Sequence, residues 1–204
     1  MIHYAVDMDD LTRIESALGM LKDKTPMSLR TAINRTATET QKLLLDEASG
    51  RYYFKRSEAK KTMSIKKATT RNLEAIVYSQ GAPLELYGAK VLPKAYNPKN
   101  RPKAGHKGNV KKSNSAKYLY LKSSGKDRYK AFVVKYKNGH ISIAQRRPGT
   151  SMRGNIHKEA IKNLYTTSIP AMLGYEQGIY GIVKPQIESM LIKNIQAQAS
   201  RYLS

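Results

Sequence analysis

Apolar residues along this chain keep a helical period at both ends and alternate in between. In Asp9–Leu21, Leu11, Ile14, Leu18 and Leu21 recur at spacings of three and four, with Asp9 and Asp10 at the end where carboxylates favour the helix dipole. That pattern predicts a short amphipathic helix, closed by Lys22-Asp23-Lys24. Thr25-Pro26 restarts the chain with a capping hydroxyl and a proline at the first helical position. Leu29, Ala32, Ile33, Ala37, Leu43 and Leu44 then predict a helix from Pro26 to about Ala48, with Gly50 as its stop. Its length would be roughly 34 Å at about 1.5 Å per residue.

Beyond Tyr52-Tyr53-Phe54 a basic stretch runs from Lys55 to Lys67, with Ser57 as the cap of a helical turn or two. The period then changes. Leu73, Ala75 and Val77 alternate with Asn72, Glu74 and Ile76; Leu84, Leu86 and Val91-Leu92 follow Pro83. Tyr118, Tyr120 and Lys122 come later, then Tyr129–Tyr136 around Phe132-Val133-Val134. Asn138-Gly139 between Ala131–Tyr136 and His140–Gln145 is a two-residue hairpin signal. A helical tail closes the sequence, with Ile179, Ile182, Val183, Ile187, Met190, Leu191 and Ile195 as its stripe and Pro185 marking a kink or a start. The expected fold is therefore α+β and a single domain over residues 1–204. A long N-terminal helix packs on a four- or five-stranded antiparallel sheet, followed by a C-terminal helix.

Lys94–Lys117 fits neither period. It holds Lys94, Lys99, Arg101, Lys103, Lys107, Lys111, Lys112 and Lys117 without one acid, and Pro98, Pro102, Gly105 and Gly108 interrupt it. Val110 is its only aliphatic residue beyond alanine. So little apolar surface predicts a mobile basic loop inserted between two strands.

Charge sharpens this picture. Of the net +22, residues 51–147 hold 25 basic and four acidic side chains, whereas residues 1–50 hold six and eight, and residues 148–204 six and three. Such density implies a polyanion or an acidic partner surface nearby, or else a solvated basic face. Tyr118, Tyr120, Tyr129 and Tyr136 interleave with Lys117, Lys122, Arg128, Lys130, Lys135 and Lys137. Stacking tyrosines on a basic sheet suit single-stranded nucleic acid, and core or interface tyrosines give the same alternation. No helix gathers Arg, Asn and Gln on one face for a major groove.

No chemistry is expected. Zero Cys excludes a disulfide scaffold, a thiolate zinc site and a cysteine nucleophile. His3, His106, His140 and His157 never stand at metal-ligand spacing, and Asp7, Asp9 and Asp10 lack the further ligands of a calcium loop. The basic section's carboxylates, Glu58, Glu74, Glu85 and Asp127, are too scattered for a metal-dependent nuclease, and the hairpin accounts for Asn138 beside His140. Neither a cofactor nor an enzymatic activity is expected. No apolar run approaches the ~20 residues of a membrane span, and Met1-Ile2-His3-Tyr4 lacks a signal-peptide pattern.

Three motifs in order carry a resemblance. Ala32-Ile33-Asn34-Arg35-Thr36-Ala37 resembles the Ala-Leu-Asn-Arg-Thr-Ala signature in the first long helix of the minor tail protein Z family, the tail-completion proteins of long-tailed phages. Pro83-Leu84-Glu85-Leu86 leading to Val91-Leu92-Pro93-Lys94 is similar to that family's Leu-Pro-Leu…Pro-Lys strand. Gln145-Arg146-Arg147-Pro148-Gly149, then Ile161 to Tyr165 and Thr167-Ser168-Ile169-Pro170-Ala171-Met172-Leu173, resembles its Arg-Arg-x-Gly turn, Leu-Tyr segment and Ser-Val-Pro-x-Met.

The resemblance covers residue 28 to the end and implies a structural virion protein, made in the host cytoplasm and placed at the head-proximal neck of the tail. It implies a homo-oligomeric ring of six copies between a tail terminator or tube protein and a head-neck connector. Asn34, Arg35, Arg146, Arg147, Gly149, Tyr165, Ser168, Pro170 and Met172 become motif or interface residues. The eight cations of Lys94–Lys117 become contacts to channel DNA or an acidic partner. The alternative is a free basic nucleic-acid-binding protein without a tail role; a toxin or nuclease would need carboxylates or histidines that the basic section lacks.

Overall fold

The computed structural model describes residues 25–99, 102–122, 128–174 and 178–203. The predicted Asp9–Leu21 helix and Arg101 lie outside them. The fold is α+β, with long helices toward both ends and small antiparallel sheets between. The described residues group into two compact units: those within Met1–Ala48, Arg56–Gly81 and Ile169–Ser204 in the first, and those within Ser49–Lys55 and Ala82–Ser168 in the second.

In the first unit, helix α1 (Thr25–Arg51) follows the predicted span, with Pro26 in its first turn, where a missing N–H leaves no hydrogen bond unmade. It runs through Gly50 to Arg51. A short helix, α2 (Arg56–Lys61), holds Ser57 inside its first turn, so Ser57 is not the cap. Strands β1 (Met63–Lys66) and β2 (Ile76–Ser79) pair antiparallel. The alternation expected from Asn72 begins only at Ile76, because Asn72 is held in a turn by its backbone bonds to Thr69. Helices α3 (Ile169–Leu173) and α4 (Ile179–Leu203) complete the unit, and α4 carries Pro185 within its span. Its buried stripe is Ile179, Val183, Ile187, Leu191 and Ile195, a strict four-residue repeat, while Ile182 turns outward. Ile33 and Ala37 of α1, Ala75, Val77 of β2, and Ile187 and Leu191 of α4 converge on one small apolar cavity.

Polar pins fix the register of these elements. Asn34 reads the backbone of Ala68 from both sides: its Nδ2 donates to the carbonyl at 3.0 Å and its Oδ1 accepts the N–H at 2.8 Å. Asn194 of α4 donates to Thr36 Oγ1 at 3.0 Å and to Glu39 Oε2 at 2.8 Å, and Arg35 pairs with Glu39 Oε1 at 3.0 Å. Asn34 and Arg35 thus act inside the first unit.

The second unit is built from strands β3 (Pro83–Glu85), β4 (Lys90–Leu92), β5 (Lys107–Asn109), β6 (Lys117–Tyr118), β7 (Tyr120–Lys122), β8 (Arg128–Lys130), β9 (Phe132–Lys135), β10 (Ile141–Arg146), β11 (Ile161–Asn163) and β12 (Tyr165–Ser168), with a 3-10 turn at Leu86–Gly88. They pair as β11-β10-β9, β4-β5-β6, β12-β3 and β7-β8. The strands are thus shared among small sheets of two or three rather than gathered into one of four or five. Leu86, Ala89, Val91, Ala131 and Ile143 form the core, flanked by Tyr53, Tyr87, Val110, Leu119 and Leu164.

Two corrections concern connections. The β9–β10 turn is a three-residue loop: the Gly139 N–H bonds the Tyr136 carbonyl at 2.9 Å, the Tyr136 N–H bonds the His140 carbonyl at 2.8 Å, and Gly139 has φ 82°. This is the type I turn with a left-handed glycine that a right-twisted hairpin accepts as readily as the two-residue form. The Lys94–Lys117 segment is not simply a loop, since β5 lies within it and β6 starts at its end. Backbone ladders to β4 and β6 order β5, and buried His106 and Asn109 find partners in the Pro93 carbonyl, at 2.8 Å, and the Asn114 carbonyl. Counting aliphatic side chains missed this because the ordering groups are peptide N–H and C=O.

Asn34→Ala should lower the unfolding free energy by about 2 kcal/mol in chemical denaturation, because both Ala68 backbone groups lose their partner. The Asn194 amide first, then Arg35 and Lys193, hold the Glu39 carboxyl below the usual range, against the effect of burial. A depressed folded pKa gives stability that is present above the unfolded pKa and lost as pH falls through the folded one. Glu39→Gln should therefore flatten the loss of stability between about pH 6 and about pH 3 relative to the unaltered protein, read from denaturant midpoints across that range.

Candidate functional site

The register of β4-β5-β6 decides where the cations point. Lys90 faces Asn109, Leu92 faces Lys107, and Lys107 faces Tyr118 in the next strand. Opposed residues share a face of a sheet, so Lys90, Leu92, Lys107 and Tyr118 stand on one side. Leu92 and Tyr118 are exposed there. Val91 points the other way into the core.

This basic sheet face is interleaved with tyrosines. The Lys107 ammonium lies 4.6 Å from the centre of the Tyr118 ring, and Lys94 lies 5.4 Å from that of Tyr87. Lys90 and Lys112 both reach the Tyr53 ring, at 5.3 and 5.6 Å. Such contacts hold lysine stems against aromatic surface and leave the charge in place. The segment at 51–53 is brought here by backbone bonds: the Tyr53 N–H donates to the Val110 carbonyl at 2.8 Å and the Lys112 N–H to the Arg51 carbonyl at 2.7 Å.

An open groove of about 550 Å³ is lined by Gly108 and Lys117, a register pair on the side of the sheet away from Lys107 and Tyr118. Its apolar lining comes from Leu86, Val110 and Leu119, and its cations are Lys111 and Lys117. Tyr52 and Tyr165 supply rings; Asn114, Ser115, Thr166 and Thr167 supply polar groups. Among the described residues no carboxylate lines it. Gly108 lets Leu119 pack close to the strand: a Cβ there would lie 2.8 Å from Leu119 Cδ1 and would push that side chain aside.

The predicted contacts are therefore partly assembled. Lys107, Lys111, Lys112 and Lys117 lie along β5, β6 and the turn between them, with Lys107 and Lys117 on opposite sides of the sheet; Lys94 sits by Tyr87. Lys99 is exposed with its N–H on Asn97 Oδ1 at 3.1 Å, and the Lys103 carbonyl accepts the Lys130 ammonium at 2.6 Å. Lys90, Tyr52 and Tyr53 escaped the sequence reading. They lie many residues from Lys111–Lys117, and no local spacing joins them. Of the four interleaved tyrosines, Tyr118 is open, while Tyr129 donates to Glu159 Oε1 at 3.1 Å and Tyr136 to Asn163 Oδ1; the Tyr120 side chain lies outside the described residues.

The remaining motif residues serve the framework. Arg146 donates to the Glu159 carbonyl at 2.6 Å and lies 5.6 Å from the Phe132 ring centre. Arg147-Pro148-Gly149-Thr150 is a tight turn, closed by Thr150 Oγ1 on the Arg147 carbonyl at 2.7 Å, with proline second and Gly149 third at φ 71°, the arrangement of a type II turn. The Arg147 side chain is exposed. Ser168 stands opposite Pro83 at the end of β12, Pro170 is in α3, and Met172 is buried there.

A second polar cluster ties β3 to the β9–β10 hairpin. His140 Nε2 lies 3.0 Å from Glu85 Oε2, Asn163 Nδ2 donates to Glu85 Oε1 at 3.4 Å, and the His140 ring stacks on Tyr136 with centroids 5.9 Å apart. Burial first, then the nearby Glu85 and Tyr165, push the Tyr136 hydroxyl up, so it stays protonated and donates to Asn163. Glu85 is fully engaged as a cross-element acceptor. Among the described residues no three His, Asp or Glu side chains gather as metal ligands, and no helix is long and apolar enough to cross a membrane.

Gly149→Ala should cost roughly 1–2 kcal/mol of stability, the penalty of a left-handed alanine in a site with open space around it. Polyanion affinity should be unchanged; a thermal melt and a salt elution from heparin check the two halves. No protein-family model, curated protein or solved structure matches the chain.

Proposed function

We propose that this chain is a structural tail-completion protein of a long-tailed phage, non-enzymatic, which forms a ring at the head-proximal end of the tail and sets a basic face against a polyanion. The single observation that carries the polyanion is the ordered face of β4-β5-β6, where Lys90 and Lys107 have tyrosine rings as neighbours, with Lys112 of the following turn on the same Tyr53 ring as Lys90. Charge held on a sheet and not neutralised is useful only opposite an anionic surface, because self-repulsion otherwise works against the fold. The ordered set of three motifs supports the tail assignment. Its residues at Asn34, Gly149 and Met172 serve packing and turn geometry, as scaffold signatures do.

In this reading, copies arranged about one axis repeat the basic face around the channel or against a neighbouring acidic ring. The head-neck connector and the tube or terminator protein are the partners on either side. A free nucleic-acid-binding protein is the second reading, favoured by the lysine–tyrosine pairs, which suit nucleic acid in any setting.

Electron microscopy of the particle, with the protein located by labelled antibody, separates the two. The expected result is six-fold density between tube and head. Absence from every tail particle, with the protein recovered on cellular nucleic acid, would overturn the tail assignment in favour of the second reading.

A further inference from the structure

We propose that the groove lined by Gly108 and Lys117 is a site for single-stranded nucleic acid, with Lys111 and Lys117 on phosphates and the Tyr52 and Tyr165 rings against bases. This rests on the polyanion-facing reading above and names a polyanion class for a second part of the same unit.

Size is the first argument. The groove's volume, about 550 Å³, falls in the range of about 300–1,000 Å³ that holds small ligands. That is room for a nucleotide. Chemistry is the second. Among the described residues two ammonium groups and no carboxylate line the groove, and neither lysine has an ion-pair partner. Phosphates are attracted to such cations without regard to sequence.

The third argument concerns the rest of the lining. Tyr165 is 54% exposed although it sits in a strand, opposite Glu85 of β3, and Leu86, Val110 and Leu119 supply apolar lining. A flat apolar base matches rings beside such a lining, and stacking accepts any base. A glutamate or aspartate side chain has no flat apolar body to place there, so an acidic peptide would use only the lysines. The site is also built rather than incidental. Asn109 is buried and its Nδ2 donates to the Asn114 carbonyl, while the Asn114 N–H bonds the Lys111 carbonyl at 3.1 Å. These bonds hold the turn that carries Lys111 and leads toward Lys117.

The test uses the full chain and a fluorescein-labelled oligothymidylate of about 20 nucleotides, long enough to cover a single-strand site of ordinary size, beside a duplex of equal length. Anisotropy titrations are run over a salt series. The unaltered chain should bind the single strand more tightly than the duplex. The double variant Lys111→Gln/Lys117→Gln should reduce the salt slope for the single strand by about 1.4, or about 0.7 per phosphate contact. Tyr165→Ala should weaken single-strand binding by about tenfold with its slope unchanged, as loss of one stacked base does. All substituted positions are exposed, and matching circular dichroism spectra confirm that the variants fold.

Equal affinity for duplex and single strand, or variants indistinguishable from the unaltered chain, would overturn the groove assignment. So would displacement by polyglutamate through the two lysines with Tyr165→Ala silent, which would give the groove to an acidic protein. Location in the particle is read separately, so the tail assignment and the groove can fail independently.

Discussion

Backbone hydrogen bonding through β5 is the constraint on which the second unit depends. Lys107-Gly108-Asn109 brings no aliphatic side chain to a core, yet it is held as a central strand between β4 and β6. Peptide groups removed from water must be paired, and a ladder on each side does that whatever the side chains are. Gly108 adds the one steric requirement, since Leu119 occupies the space where a Cβ would be. From this strand follow the rest: its register sets Lys90, Lys107 and Tyr118 on one face, and its continuation places Val110 beside Tyr53 and Lys111 beside Tyr52. Without β5 the lysines would be a solvated cloud; with it they form a surface of fixed spacing.

The first unit depends on a different device. Small and β-branched residues on α1, including Ala32, Ile33, Thr36, Ala37 and Thr40, are buried, and such shallow side chains specify a helix register weakly by themselves. Asn34 and Asn194 supply the register. Each amide has a donor and an acceptor in fixed geometry, and Asn34 matches the N–H and C=O of one residue, Ala68. Asn194 instead ties Thr36 and Glu39, one helical turn apart, to α4. The Asn-Arg-Thr motif is therefore a structural signature, with Arg35 acting through Glu39.

The charge pattern joins the two levels. Four acidic residues among residues 51–147 cannot neutralise 25 basic ones, and Glu85 is already engaged with His140 and Asn163. Tyrosine rings take the place of carboxylates as neighbours of Lys90, Lys94, Lys107 and Lys112. A ring quadrupole orients a cation without cancelling it, so the surface keeps its potential while the side chains lose freedom. That combination suits the capture of an extended anion better than mobile lysines would.

The amino-acid sequence by itself determined the α+β class, the span of α1, the β9–β10 hairpin, the C-terminal helix and the location of the charge. Each rests on short-range signals: a 3.6-residue stripe, a proline at a helix start, an Asn-Gly turn, a count of ionisable groups. Tertiary structure alone decided that the strands fall into several small sheets and the chain into two units. It also decided that Lys94–Lys117 contains a strand and that Tyr52, Tyr53 and Lys90 join its lysines. The reason is physical. β5 is ordered by peptide groups, which every residue carries alike and which leave no trace in a hydrophobic pattern. The groove brings together residues from Tyr52 to Thr167, and only the folded chain sets those side chains within reach of one ligand.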